Sequence, residues 1–180
     1  MKKIILFAVI MLIITATSFA QTEKGNWLMG GSGEFSSQKT GDFKTTSFSF
    51  EPAAGYFIAK DFALGAGLGF TSSKDEGDAD AVSAFSFAPF VRYYFLPLGT
   101  GAKLFGDASF GVGSVKYTDS QSFTQWGIDA GPAIFLNPHT ALEITLGYGS
   151  MKIKDATDAT NAFRIRIGFQ VHLGATKKAD

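Results

Sequence analysis

The chain has 180 residues, no cysteine, 16 basic against 16 acidic residues, 21 glycines and 19 phenylalanines. The charge balance offers no electrostatic footprint for nucleic acid, the missing cysteine excludes a disulfide framework and lipoprotein processing, and the length suits one domain. Glycine and phenylalanine together suit a β architecture with small residues on one face and aromatics on the other.

Residues 1–20 carry Lys2 and Lys3, an unbroken apolar run from Ile4 to Ile14, and the small residues Ser18 and Ala20 at the positions a signal peptidase reads. This pattern predicts a secretory signal cleaved after Ala20. The run is well short of the roughly 18 apolar residues that a spanning helix needs. Removing it leaves two more acidic than basic residues.

Eight segments then alternate with period two, which turns successive side chains to opposite faces of a strand. Residues 26–36 set Trp27, Met29 and Phe35 against Asn26, Gly30, Ser32 and Glu34, with Leu28 out of pattern. In residues 45–57, Phe48, Phe50, Pro52, Ala54 and Tyr56 oppose Ser47, Ser49, Glu51, Ala53 and Gly55 until Phe57 breaks the pattern. Residues 62–71 place Phe62, Leu64, Ala66, Leu68 and Phe70 against Ala63, Gly65, Gly67, Gly69 and Thr71. That second face is nearly bare. A soluble barrel would clothe its outer face with Lys, Glu and Thr, whereas a narrow closed barrel needs small residues where inward side chains crowd, so the apolar face is expected outside and Gly67 in a crowded place.

Residues 82–95 and 101–117 continue the alternation, with Ala84, Ser86, Ala88 and Arg92, then Lys103, Phe105, Asp107, Ser109, Gly111 and Gly113, on the second face. Residues 123–136 set Trp126, Ile128, Ile134 and Leu136 against Gln125, Gly127, Asp129 and Gly131. Residues 140–153 set Leu142, Ile144, Leu146 and Tyr148 against Glu143, Thr145, Gly147 and Gly149. The last segment, 161–173, is the most regular: Phe163, Ile165, Ile167, Phe169, Val171 and Leu173 interleave with Arg164, Arg166, Gly168, Gln170 and His172.

Connections at 58–61, 96–100 and 137–139 are short, those at 37–44, 72–81 and 154–160 are longer and polar, and 118–122 is intermediate. Short turns at one end and longer loops at the other predict an all-β, single eight-stranded antiparallel up-and-down transmembrane β-barrel over residues 21–173, turns toward the periplasm and loops outside, with a polar tail at 174–180. Aromatics fall near both ends: Trp27, Tyr56, Phe62, Tyr93 and Phe95 by the turns, and Phe35, Phe48, Phe70, Phe85 and Phe123 by the loops. Two such girdles are expected where rings sit at headgroup level.

The sequence resembles the small eight-stranded outer-membrane β-barrel proteins, the porin-like or outer membrane β-barrel domain family, over residues 25–173. The most specific match is the end of the last strand, where Arg166, Gly168, Val171 and Leu173 have the spacing of the family's assembly signal. Family members commonly end there on an aromatic residue, whereas this chain continues as Gly174 to Asp180. The resemblance implies the outer membrane of a Gram-negative cell, contact with its lipid and with the β-barrel assembly machinery. A monomer is expected.

The polar face collects Glu34, Glu51, Arg92, Lys103, Asp107, Asp129, Glu143, Arg164, Arg166 and His172. Mixed signs suit mutual pairing in a lumen just wide enough to be filled by side chains, which favours a structural charge network over an ion path. Strand counting brings Arg92 toward Asp107, and Glu34 toward Arg164 or, with a two-residue slip, Arg166. The two histidines, His139 and His172, fall at the turn end, away from the outer rim where barrel enzymes that this architecture resembles keep catalytic groups, so no catalysis is expected. The acidic stretch 72–80 lacks the spacing of an EF-hand and reads as a solvated loop. Gly65, Gly67 and Gly69 lie within a strand, as lumen packing rather than a phosphate loop. No metal or cofactor is expected.

The reading is a non-enzymatic barrel with a structural role or a surface-binding role through its loops. A small transport barrel for ions or small apolar molecules is the second reading, separable by conductance. A secreted lipocalin-like carrier, which needs the apolar face inside, is the third and is separable by membrane fractionation.

Overall fold

The computed structural model describes residues 22–40, 43–75, 77, 81–116 and 119–174. The expected signal at 1–20 and tail residues 175–180 lie outside these. The eight alternating segments form β1 (Trp27–Thr40), β2 (Phe43–Ala59), β3 (Phe62–Asp75), β4 (Val82–Leu98), β5 (Ala102–Lys116), β6 (Ser120–Asn137), β7 (Thr140–Ile153) and β8 (Thr160–Leu173). Each pairs antiparallel with the next, and β1 with β8, so the sheet closes on itself.

The strands outrun the sequence reading at the loop end. The ladder between β1 and β2 continues to Thr40↔Phe43, so the loop expected at 37–44 is almost wholly strand, and β3 runs to Asp75. Polar residues mark a solvated strand end as readily as a loop, which is why composition placed both boundaries too early. The β1–β8 ladder is shorter, from Trp27↔Leu173 to Ser32↔Gly168.

The apolar face points outward. Phe163, Ile165, Phe110 and Ile167 are 66, 64, 58 and 58% exposed, while Glu143, Arg92 and Asp129 on the other phase are buried. This orientation removes the soluble carrier, whose apolar phase would be inside. Aromatic neighbours support a band at each end: Trp27 meets Tyr56 at 5.2 Å and Tyr93 meets Phe95 at 6.5 Å by the turns, and Phe70 meets Phe85 at 5.2 Å by the loops. Phe123 is a correction, because it lies on the inward phase and is buried.

Residues that broke the alternation share a physical cause. Leu28 and Phe57, like the large Tyr94, Phe105 and Phe135, lie on the inward phase at the turn end and pack around the in-pattern His172, all but sealed from solvent. Register shifts fall immediately after Phe57, Tyr94 and Phe135. An extra residue at a bulge increases local twist and re-aims the side chain beside it. Three such bulges on alternate strands help gather three aromatic rings into one plug.

Candidate functional site

Among the described residues, the lumen gathers polar side chains from all round the barrel, and its contents change level by level. At the turn mouth, Lys103 Nζ donates to Asp61 Oδ1 at 2.6 Å and to Thr22 Oγ1 at 2.7 Å. The Asp61 amide donates to the Thr22 carbonyl at 2.7 Å. The segment before β1 is thereby tied across the barrel end.

Above this latch sits the aromatic plug. His172 packs against Phe57 at 5.9 Å and Phe135 at 5.4 Å between ring centroids, and its Nε2 lies 3.4 Å from the Tyr94 hydroxyl. Tyr94 in turn meets Phe105 at 5.5 Å. His139 remains in the β6–β7 turn, where its Nδ1 is 3.2 Å from the His172 carbonyl.

Next comes a charge layer centred on Arg92. Arg92 is the register partner of Asp107, and its guanidinium donates to both Asp107 oxygens at 2.7 Å, through Nε and Nη2. Nη1 donates to Glu143 Oε1 at 2.7 Å and to the Tyr94 hydroxyl at 3.2 Å. The cation also lies 4.1 Å over the Phe105 ring, a favourable contact with the negative ring face. One guanidinium therefore joins β4, β5 and β7 and satisfies two enclosed carboxylates. Its planar fork suits it to that task better than a lysine.

A second layer centres on Arg166, which donates to Glu51 Oε2 at 2.8 Å and makes an ion pair with Asp129 Oδ1 at 2.7 Å. Gly147 leaves room for that carboxylate: a Cβ there would collide with Asp129 Oδ1. Between the two layers lies a cavity of about 140 Å³ lined in part by Phe90, Arg92, Asp129 and Glu143.

Toward the loops the lumen opens into a cup of about 410 Å³ whose wall includes Ser49, Thr71, Ser86, Ser109, Gln125 and Arg164. Hydroxyl pairs Ser47–Ser73 at 2.8 Å and Ser49–Thr71 at 3.1 Å bridge β2 and β3 there. Arg164 makes no ion pair among the described residues, and its Nε is buried without a hydrogen-bond partner. Gly67 borders this cup, and a Cβ on it would meet nothing closer than 3.6 Å. The crowding expected at Gly67 falls instead at Gly65, whose Cβ would run into the Phe90 ring and the Ala54 carbonyl.

The closing register corrects the first expectation for Glu34. Counting on from Ser32↔Gly168 places Glu34 level with Arg166 rather than Arg164; the Glu34 side chain itself lies outside the described residues. A two-residue slip keeps every face unchanged, so alternation alone leaves that choice open. In the last strand, Arg166 points into the lumen, Gly168 lies beside Ser32, and Val171 and Leu173 face outward. The plug is what residue-by-residue reading missed. Its signal was present as large side chains on the small-residue phase, always near the turn end.

An eight-stranded barrel closed by β1 against β8, with an apolar exterior and a charged, plugged interior, defines an integral membrane β-barrel, because closure pairs strand edges that would otherwise meet lipid. Residues 5–172 match the family model described as outer membrane protein beta-barrel domain, and the chain belongs to that family. Solved structures agree in fold. Neisserial surface protein A superposes with a TM-score of 0.62 at 15% identity, covering 82% of this chain and 97% of that one. OprG from Pseudomonas aeruginosa gives 0.56 at 13% identity, covering 88% and 100%. The N-terminal barrel domain of Pseudomonas aeruginosa OprF gives 0.54 at 12%, covering 83% and 98%. No curated protein sequence matches the chain.

Proposed function

We propose that this protein is a non-enzymatic outer-membrane barrel, closed to passage from one end to the other, with a structural role or a surface-binding role exercised at its loop end. The observation that carries the reading is the stack beneath the cup: two ion-pair layers over an aromatic plug with Phe57 and Phe105 fully buried. An ion crossing it would have to displace paired charges and packed rings, each costly in a low-dielectric interior. On this reading the leader at 1–20 is removed on export from a Gram-negative cytoplasm. The assembly machinery then reads Arg166, Gly168, Val171 and Leu173, and the monomer inserts with its loops outside.

The test is conductance of the purified barrel in planar bilayers. Absence of steady, reproducible current is expected. Current that is lost on substituting Arg92 or Phe105 but survives shortening of the loops would overturn closure and select a transport barrel. One observation favours a form of that second reading: the β1–β8 ladder stops at Ser32↔Gly168, level with the floor of the cup. A lateral path from cup to bilayer for small apolar molecules would leave conductance at zero but allow their uptake into liposomes.

A further inference from the structure

Beyond the lumen, the outward face of β5, β6 and β7 changes character above the aromatic band. Below, it presents Phe110, Trp126 and Tyr148, all strongly exposed. Above, the outward positions are Ser114 and Lys116 on β5, Ser122 and Thr124 on β6, and Lys152 on β7, followed by Lys154. Register holds them together: Thr124 opposes Lys152, Ser122 opposes Ser114, and Ser120 opposes Lys116. The Lys154 amide donates to the Ser122 carbonyl at 2.8 Å, fixing that lysine beside the hydroxyl row.

Ser114, Ser122, Thr124, Lys152 and Lys154 border an outward crevice of about 540 Å³ whose floor includes Phe87 and Val112 and whose rim includes Asp155; Lys116 stands just beyond it, two residues past Ser114 on the same face of β5. All three lysines are exposed, and none makes an ion pair among the described residues. One rim carboxylate thus stands against two ammonium groups in the crevice wall, with the Lys116 ammonium beside them. Adjacent strands are about 4.8 Å apart, so side chains as long as lysine on β5 and β7 can converge on a group seated over Ser122.

We propose that Lys116, Lys152 and Lys154, with Ser114, Ser122 and Thr124, form a site for the phosphorylated head group of an outer-leaflet glycolipid. The geometry favours a lipid over a free anion because cationic and hydroxyl donors sit directly above an apolar floor, and a lipid supplies a phosphate and an acyl chain in that order. Ammonium groups and hydroxyls are donors suited to phosphate oxygens. The proposal rests on the reading that the loop end lies in the outer leaflet.

Native mass spectrometry of the refolded full chain in detergent tests it, with bisphosphorylated lipid A, the same lipid stripped of phosphate, and inorganic phosphate as competitor. Retention of one bisphosphorylated molecule is expected, with little retention of the stripped lipid and no displacement by phosphate. A basic side chain near an anionic surface contributes about fivefold to affinity. The triple variant Lys116→Gln, Lys152→Gln, Lys154→Gln should therefore bind on the order of a hundredfold more weakly, Thr124→Asp should also weaken binding, and Lys60→Gln at the turn end should leave it unchanged. Equal retention by the triple variant, equal retention of stripped lipid, or displacement by phosphate overturns the site. A triple variant that remains folded, inserted and non-conducting while keeping its lipid would overturn this proposal alone, whereas conduction by the native barrel would overturn only closure.

Discussion

Replacing Arg92 with methionine is the sharpest perturbation of the interior. Methionine conserves much of the packing against Phe105 but removes the cation that holds Asp107 and Glu143, whose side chains are only 14 and 5% exposed. Breaking an enclosed ion pair typically costs about 3–5 kcal/mol because the remaining charge is uncompensated. Here two carboxylates are left, so the loss should lie at the upper end of that range. Adding Glu143→Gln should return part of it, and adding Asp107→Asn most of the remainder, since neutral groups no longer need the cation. The assay is denaturant unfolding in phosphatidylcholine vesicles, followed by fluorescence of the outward-facing Trp27 and Trp126. A coupling of at least about 2 kcal/mol between positions 92 and 143 is expected in a double-mutant cycle; additivity within about 0.5 kcal/mol would refute a shared network.

Arginine at Leu68, Phe110, Ile144 or Ile167, all outward and exposed, should cost about 2–4 kcal/mol of folding free energy in bilayers, and unchanged stability at all four would remove them from mid-membrane. Gly65→Val should destabilise by about 1–3 kcal/mol through collision with Phe90, whereas Gly67→Ser, beside the cup, should stay within about 0.5 kcal/mol; comparison of unfolding midpoints decides, and the reverse order would mean the lumen narrows elsewhere.

Alternation carried most of the fold because its period is a backbone property: every outward residue from Trp126 to Leu136, and from Phe163 to Leu173, could be placed by parity alone. The Arg92–Asp107 pair was legible too, since the short turn between β4 and β5 brings them to nearly the same level and they share the inward phase, although the register shift between Tyr94 and Leu96 is what makes them direct partners. Closure was different. β1 and β8 are joined by no turn, so nothing local distinguishes Arg164 from Arg166 as the residue level with Glu34. Arg166 instead reaches Glu51, which is 115 positions away in sequence, and Asp129 on the opposite wall. The plug was hidden for a related reason. Leu28, Phe57 and Phe105 each look like a single lapse in one strand, and only closure brings these lapses to one level, where they exclude water together. The loop boundaries slipped because polar strand ends above the bilayer have no apolar face to mark them.

Whether the plug closes the cup from below is measured most directly by using the absence of native cysteine. Single cysteines at Ser49 and Ser86 in the cup, and at Ala133 and Ala141 in the plug, can be exposed to a charged, membrane-impermeant thiol reagent from either side of a liposome. A lumen closed by the plug gives rapid labelling of Ser49→Cys and Ser86→Cys from the loop side only, and none of Ala133→Cys or Ala141→Cys from either side. Labelling of Ala133→Cys or Ala141→Cys from the loop side at the rate of Ser86→Cys would show a continuous aqueous path and contradict it.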